Sequence, residues 1–406
     1  AGHPPIAVLA HDREEALWTL LESLRDAQGV DFARVFVYQD GSDRGVERVV
    51  RDFFPAVLVR LPPGGEDGGP VLSSRLTFNY RFMLEHALAE ASGADHLIVL
   101  EDDLLVSRDF LSFFTSAADL MRSDPSIFCA SGYNDNGFEA NAVDGARVWR
   151  GEHFMALGWM LSRETLRLAA PFWKMDQVWD VPLARAMAHP TPHGEPRACI
   201  FPEVARTKHV GDASTMRKAL TTSAAAQQHW YDQMALHGEE SAAGASPLTR
   251  ESFLAASIAG SHAFMTALLE RAEVRRCIWG LLERNADGSP RTYLLPFQEH
   301  SRDDEGWDLV MGAFGLMGRG GGFDRLPRGI HQGAVRARLG GNLVIIISSS
   351  SPLVQESERL RASLPFPAPP ASRAALTEGA CSPSDTQRVA ATRQVQWKVF
   401  ATPEGG

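Results

Sequence analysis

The 406-residue sequence predicts an α/β protein: a larger unit built on a mostly parallel central sheet, followed by a smaller C-terminal α+β unit. Three observations predict it. Short apolar runs alternate with helical patterns from Ile6 to Gly132, the signature of strands joined by crossover helices. Three of those runs end directly in polar clusters, as strands do where a parallel sheet holds a ligand at its carboxyl edge. Two other nucleotide-site signatures, GxGxxG after the first strand and GxxxxGK[ST], are absent, which disfavours a dinucleotide site and a P-loop.

The elements follow in order. Residues 6–10 form an apolar strand ending at Asp12 and Arg13, and Leu17, Leu20, Leu21 and Leu24 then recur at helical spacing up to about residue 27. Residues 34–38 are β-branched and aromatic, and they run into Gln39-Asp40-Gly41. Residues 56–61 make a third strand, and 62–70 are a Gly- and Pro-rich loop. A helix covers 73–91, and a buried strand at 96–100 leads straight into Glu101-Asp102-Asp103. A helix at 109–121 and a strand at 127–132 complete the pattern. Residues 215–273 read as Ala- and Leu-rich helix, broken near 238–247. Strands return at 277–282, 292–295, 334–339 and 342–347, with a helix at 307–316 between them. The organisation expected is therefore 1–215, 216–275, 276–352 and a Pro-, Ser- and Ala-rich mobile tail at 353–406.

Composition narrows the function. With 44% apolar and 22% charged residues the chain is globular rather than disordered, collagen-like or a coiled coil. Its 40 basic and 50 acidic residues give a formal charge of −10, so it has no overall attraction for nucleic acid or an anionic membrane. A phosphate-bearing ligand must be held locally, by a metal, an Arg or backbone amides. The most apolar run, 343–347, is far below the ~20 residues that span a bilayer. None of the four cysteines, Cys129, Cys199, Cys277 and Cys381, sits in a CxxC pair.

The acidic triplet is the strongest chemical feature. Three successive carboxylates at a strand end repel one another unless a cation or hydrogen-bond donors compensate, and a hard divalent ion with oxygen ligands would do so. The other reading is an acidic turn capping the helix that starts near Asp109. An ion held by one or two carboxylates keeps open positions that diphosphate oxygens fill, and as a Lewis acid it stabilises a departing diphosphate. That combination suits a nucleotide-sugar transferase.

Separated segments then carry a resemblance: VLAHDR at 8–13, VYQD at 37–40, LTFN at 76–79, VLEDDL at 99–104, FCASGYNDNG at 128–137, ALGWML at 156–161, VWD at 178–180, RACIFPEVART at 197–207, YDQ at 231–233 and PRGIHQGAV at 327–335. In joint order and spacing they resemble the β-1,2-N-acetylglucosaminyltransferases that act on mannose, both the N-glycan enzyme N-acetylglucosaminyltransferase I and the protein O-mannose enzyme. The resemblance implies a GT-A type fold, UDP-GlcNAc as donor, manganese as cofactor, a mannose-terminated acceptor and inversion at the anomeric carbon. It implies a secretory-pathway or Golgi location, with membrane attachment through an N-terminal anchor outside these residues.

Residue roles follow from the same resemblance. Asp103 matches the metal ligand, Asp102 and Glu101 the contacts to ribose and to the GlcNAc ring, and Arg13 with Asp40 the uridine-binding pair. Asn79 matches a donor-side position where one branch has His. Asp180 matches the general base, with Asp176 as the fallback; Val181 stands where one branch has a second Asp. On its position alone, Asp180 also reads as a helix N-cap before Pro182. Trp159 either packs on the GlcNAc ring or is a core tryptophan. Ser214 and Thr215 fall in a loop that closes over the donor in the family, or in an ordinary surface loop. Asn134 to Gly137 match an acceptor-side turn, and Cys129 and Cys199 match positions joined by a disulfide, which would imply an oxidising lumen. Two other functions stay open: a lapsed carbohydrate-binding protein, and a transferase of the same architecture using another UDP-sugar.

Overall fold

The structure, a computed structural model, describes residues 2–62, 72–91, 93–210, 231–238, 246–274, 283–299, 306–318 and 326–356. Ser214, Thr215, Cys277, Cys381, the strand expected at 277–282 and the tail beyond 356 lie outside the described residues.

The first sheet has eight strands: β1 (Ile6–Ala10), β2 (Val35–Gln39), β3 (Val57–Arg60), β4 (His96–Glu101), β6 (Ile127–Ser131), β7 (Val148–Gly151), β8 (Trp159–Ser162) and β9 (Ala198–Pro202), in the order β3-β2-β1-β4-β8-β6-β9-β7. β3, β2, β1 and β4 are mutually parallel, as are β6 and β9. β8 enters antiparallel between β4 and β6, and β7 closes the edge antiparallel to β9. Alternation splits the strand side chains between two layers. Ile6, Val8 and Ala10 face one core with helices α1 (Glu14–Asp26), α2 (Arg44–Asp52) and α4 (Phe110–Ser123). Ala7 and Leu9 face the other, with α3 (Leu72–Glu90), α5 (Arg163–Ala169) and α6 (Val181–Met187). The apolar stripe read in the sequence is the one α1 buries: Leu17, Leu20, Leu21 and Leu24.

A disulfide joins Cys129 of β6 to Cys199 of β9, which sit opposite each other in the parallel register. It closes a loop of 70 residues inside the core. Replacing both cysteines by serine should cost about 2–4 kcal/mol in equilibrium urea unfolding, mostly through a freer unfolded chain.

A second sheet, ordered β11-β12-β14-β13, is built from β11 (Glu273–Val274), β12 (Thr292–Phe297), β13 (Ala334–Leu339) and β14 (Asn342–Ser348). Its own core gathers Trp307, Val310 and Met311 from the helix Gly306–Ala313 under Tyr293, Val335 and Ile346. Two arginines, Arg336 buried and Arg338 half-buried, bind it to the first sheet. Arg336 donates to the carbonyls of Arg150 and Gly329, and Arg338 pairs with buried Glu203. Both line a small cavity of about 20 Å³ together with Asn136 and Phe201.

The helical region expected between the sheets is partly different. Residues 231–238 are held by bridges from Met234 to Phe138 and from Leu236 to Ala205, so this stretch packs against the first unit. The helices Arg250–Ala256 and Ile258–Arg271 follow, capped by Thr249 and Ser257. Among the described residues no single helix is long and apolar enough to cross a membrane; these two pass together, but they meet at 92°.

Candidate active site

Parallel pairing brings the three polar clusters together. Leu9 of β1 lies opposite Glu101 of β4, the Asp102 amide bonds the Leu9 carbonyl, and the Asp40 amide bonds the Ala10 carbonyl. The carboxyl ends of β1, β2 and β4 thus share one edge. After Glu101 the chain turns through Asp102 and Asp103 into the short strand β5 (Leu104–Val106), which pairs antiparallel with β10 (Thr207–His209). The turn does not cap α4: that helix begins after Asp109 with no side-chain capping bond.

The triplet is buried and only half satisfied. Asp102 and Asp103 are 1% and 5% exposed. Arg13 crosses from the end of β1 and donates to Asp103 Oδ2 at 2.7 Å and to Asp102 Oδ1. His209 Nε2 stands 3.3 Å from Asp103 Oδ2. The other oxygens, Asp102 Oδ2 and Asp103 Oδ1, have no hydrogen-bond partner among the described residues. Tyr80 donates its hydroxyl to Glu101 Oε1. One guanidinium therefore faces three carboxylates, and their protonation splits accordingly. Burial and then the Asp103 charge push Glu101 well above the usual range, against the bond from Tyr80. Burial raises Asp102 to about 6 despite Arg13. Burial would raise Asp103 too, but the bonds and charges of His209 and Arg13 more than offset it and hold it low. Asp103 is thus the member whose ionised form its neighbours hold most firmly.

A wall of aromatic rings sets the far side. The Tyr80 ring lies flat on Trp179, centroids 3.8 Å apart and planes 2° apart, and Trp179 in turn stacks on Trp159 at 6.0 Å. Thr77 Oγ1 bonds the Gln177 carbonyl at 2.5 Å, tying this stretch to α3. Asp180 comes next, at the N-cap position of α6, but its carboxylate makes no capping bond, so helix capping does not occupy it. Burial, Glu101, Asp103 and Asp180 together raise the Tyr80 hydroxyl well above its ordinary value, which puts Asp180 within electrostatic reach of Tyr80.

Several placements add to expectation. Arg13 is bonded to the triplet, and the Asp40 carboxylate takes the Arg75 guanidinium at 3.0 Å. Trp159 is 1% exposed, with Phe154 edge-on and Trp179 stacked, the core-tryptophan placement of the two considered. Asn134 to Gly137 do form a turn, but Asn136 bonds the Arg328 carbonyl and Asp135 takes His153 Nε2 at 2.7 Å, so it also anchors the second unit. Asn79 is fully buried on α3, and neither atom of its amide finds a partner among the described residues.

Sequence reading missed Tyr80 and His209. Tyr80 sits on the buried face of α3 with Met83, Leu84 and Ala87 at helical spacing. A phenol in such a stripe needs a partner for its hydroxyl, and that was the available signal. His209 follows Thr207 at strand alternation, yet nothing local says that β10 lies along β5.

Backbone crowding beneath β10 holds it in place. Leu157 and Gly158 both have positive φ, 65° and 89°, and Thr207 Oγ1 bonds the Leu157 carbonyl at 2.7 Å. A Cβ on Gly158 would come within 2.5 Å of Thr207 Cγ2. Gly158→Ala should therefore cost about 2 kcal/mol or more and push β10 away from the triplet, measurable as lost thermal stability together with weaker donor binding.

Comparison with known proteins bears on this geometry. Residues 2–220, more than half of the chain, match the GNT-I family. The chain belongs to that family. Within it, the chain is 30% identical over 227 residues to the alpha-1,3-mannosyl-glycoprotein 2-beta-N-acetylglucosaminyltransferase of Arabidopsis thaliana, a match covering 52% of this chain and 48% of the relative. The chain thus spans about half the length of that relative. Solved structures of low likeness include the mannosyltransferase PcManGT of Pyrobaculum calidifontis with GDP-Man and Mn2+ (TM-score 0.31, 16% identity, 50% of this chain and 58% of that one). They also include S. aureus TarS 1–349 with UDP-GlcNAc (TM-score 0.31, 13% identity, 56% and 70%). Likeness of that depth adds nothing to the reading of the site. In this GNT-I family chain, no group of three or more His, Cys, Asp or Glu side chains among the described residues is arranged to hold a metal ion.

Proposed function

We propose that the chain is an inverting, divalent-metal-dependent transferase that moves GlcNAc from UDP-GlcNAc to a terminal mannose hydroxyl in β-1,2 linkage. Family membership and the named activity of the plant relative support the sugar and the acceptor. One observation carries the mechanism. The buried carboxylate of Asp103, held low by His209 and Arg13, keeps one oxygen without a partner among the described residues, at the carboxyl edge of a parallel sheet.

The residues fit a hard cation. Three carboxylates against one guanidinium leave excess negative charge in a buried place, which a divalent ion relieves. Asp103 would hold it through Oδ1, with manganese as the ion the resemblance implies. When bound, the ion supplies positive charge to the departing diphosphate. Arg13 keeps Asp102 and Asp103 apart and aimed. Asp102 Oδ2 is open to a ribose hydroxyl, and Glu101, steadied by Tyr80, to a hydroxyl of the sugar ring. Asn79 offers a buried amide to the same donor. Asp180 accepts the proton of the mannose hydroxyl as that oxygen attacks the anomeric carbon on the face away from the diphosphate. Asp40 and Arg75 then form the polar rim on the uridine side. The Cys129–Cys199 disulfide supports an oxidising, secretory-pathway location.

The test is a product-linkage assay with UDP-GlcNAc, Mn2+ and a panel of N-glycan core mannosides, O-linked mannosides and simple mannosides. The expected product carries β-1,2-linked GlcNAc on mannose. Faster turnover with another UDP-sugar, or another linkage, would replace this reading.

A further inference from the structure

We infer that the preferred acceptor carries an apolar group directly on the anomeric carbon of its mannose, and that Met175 and Val178 bind that group beside Asp180. This rests on the reading above, in which Asp180 takes the proton of the mannose 2-hydroxyl.

The approach to Asp180 is a pinned loop. Trp173 and Trp179 are buried in the core on the α3 side, and the Gln177 carbonyl between them accepts the Thr77 hydroxyl at 2.5 Å. The Val181 amide bonds the Val178 carbonyl at 3.1 Å, closing a turn around Trp179 and Asp180. Yet Met175 is 37% exposed and Val178 48%, and Val181 is only half-buried. Single exposed apolar residues need no explanation. Here an anchored loop turns two of them outward just before the proposed base, with exposed Lys174 and Asp176 as a polar rim.

The chemistry says what meets them. The reacting oxygen is on C2, so the anomeric carbon is its immediate neighbour, and whatever C1 carries lies against the residues that flank Asp180. A second sugar would bring hydroxyls onto valine and methionine, which offer them no hydrogen bond. An alkyl chain or an apolar amino-acid side chain would instead take both exposed side chains out of water.

The experiment measures kcat/KM of the full chain with UDP-GlcNAc and Mn2+. The acceptors are methyl, butyl and hexyl mannosides, a mannosyl-mannose disaccharide, and mannosyl-threonine peptides flanked by Leu or by Ser. Hexyl should exceed methyl mannoside about tenfold, mainly through KM, since a methylene fully withdrawn from water is worth about fourfold and burial at an open rim is partial. The disaccharide should do no better than methyl mannoside. The alkyl series and the Leu/Ser peptide pair distinguish a lipid-like aglycone from a peptide. Combining Val178→Thr with Met175→Gln keeps shape and length, and should cut the hexyl-to-methyl ratio to about twofold or less while the protein melts as before, as expected of exposed positions. Equal kcat/KM across the wild-type alkyl series, or a preference that survives the double variant, overturns this inference and leaves the proposed transfer standing. No GlcNAc on any mannoside overturns both.

Discussion

Asp103→Asn abolishes cation-dependent UDP-GlcNAc binding, and turnover falls by about a thousandfold or more, as expected when the charge that stabilises a leaving group is removed. The substitution is chosen because it changes one thing. Asn keeps the shape and an oxygen for Arg13, whose guanidinium also retains Asp102. The β5–β10 junction survives, since the bond from Val210 goes to the Asp103 backbone carbonyl. What disappears is the carboxylate whose ionised form His209 and Arg13 hold most firmly. Because His209 and Arg13 hold the Asp103 carboxylate low, its charge contributes stability above the ordinary carboxylate range, so the metal-free variant should melt at a somewhat lower temperature but still fold. Calorimetric donor titration together with thermal unfolding separates this result from a folding defect: cation-dependent binding is lost while a cooperative unfolding transition remains.

Asp180→Asn has the second large effect and a different signature. Donor affinity should stay within about twofold while the turnover number drops by ~10²–10⁴, the usual worth of a general base. The geometry supports the split. Trp179 is held by Tyr80 on one face and Trp159 on the other, and neither stack needs the Asp180 carboxylate. α6 does not need it either, because the side chain makes no capping bond. Rapid-quench turnover beside equilibrium donor binding checks the prediction. Full turnover in the variant would pass the role to another group, and exposed Asp176 would be the next to replace.

The legible parts were those encoded by local pattern. Strand and helix alternation gave β1 to β4 and β6 nearly to the residue, though not β7, β8 or β9, because apolar runs such as Ile6–Ala10 and His96–Glu101 are buried along almost their whole length. The carboxyl-edge position of Glu101 to Asp103 followed from the same rule. Cys129 and Cys199 were paired through the family resemblance, and the structure joins them. The missing parts were long-range registers. Arg13 reaches a triplet ninety residues away, a contact no local pattern reports, because the β1–β4 pairing sets the end of β1 beside Asp102. His209 reaches Asp103 only through an antiparallel ladder between two three-residue strands, too short to announce themselves. The insertion of β8 between β4 and β6 likewise has no local cause that periodicity reports, yet it carries Trp159 into the core.

The central claim is that these buried carboxylates grip a sugar nucleotide through a divalent cation. It is tested most directly by titrating UDP-GlcNAc into the unmodified protein twice, once with Mn2+ and once with a chelator. The account predicts binding in the first titration and its loss in the second. Equal affinity in both, with Arg13 still closed on Asp102 and Asp103, would mean that these carboxylates are a structural salt link and that the chain binds its sugars by other means.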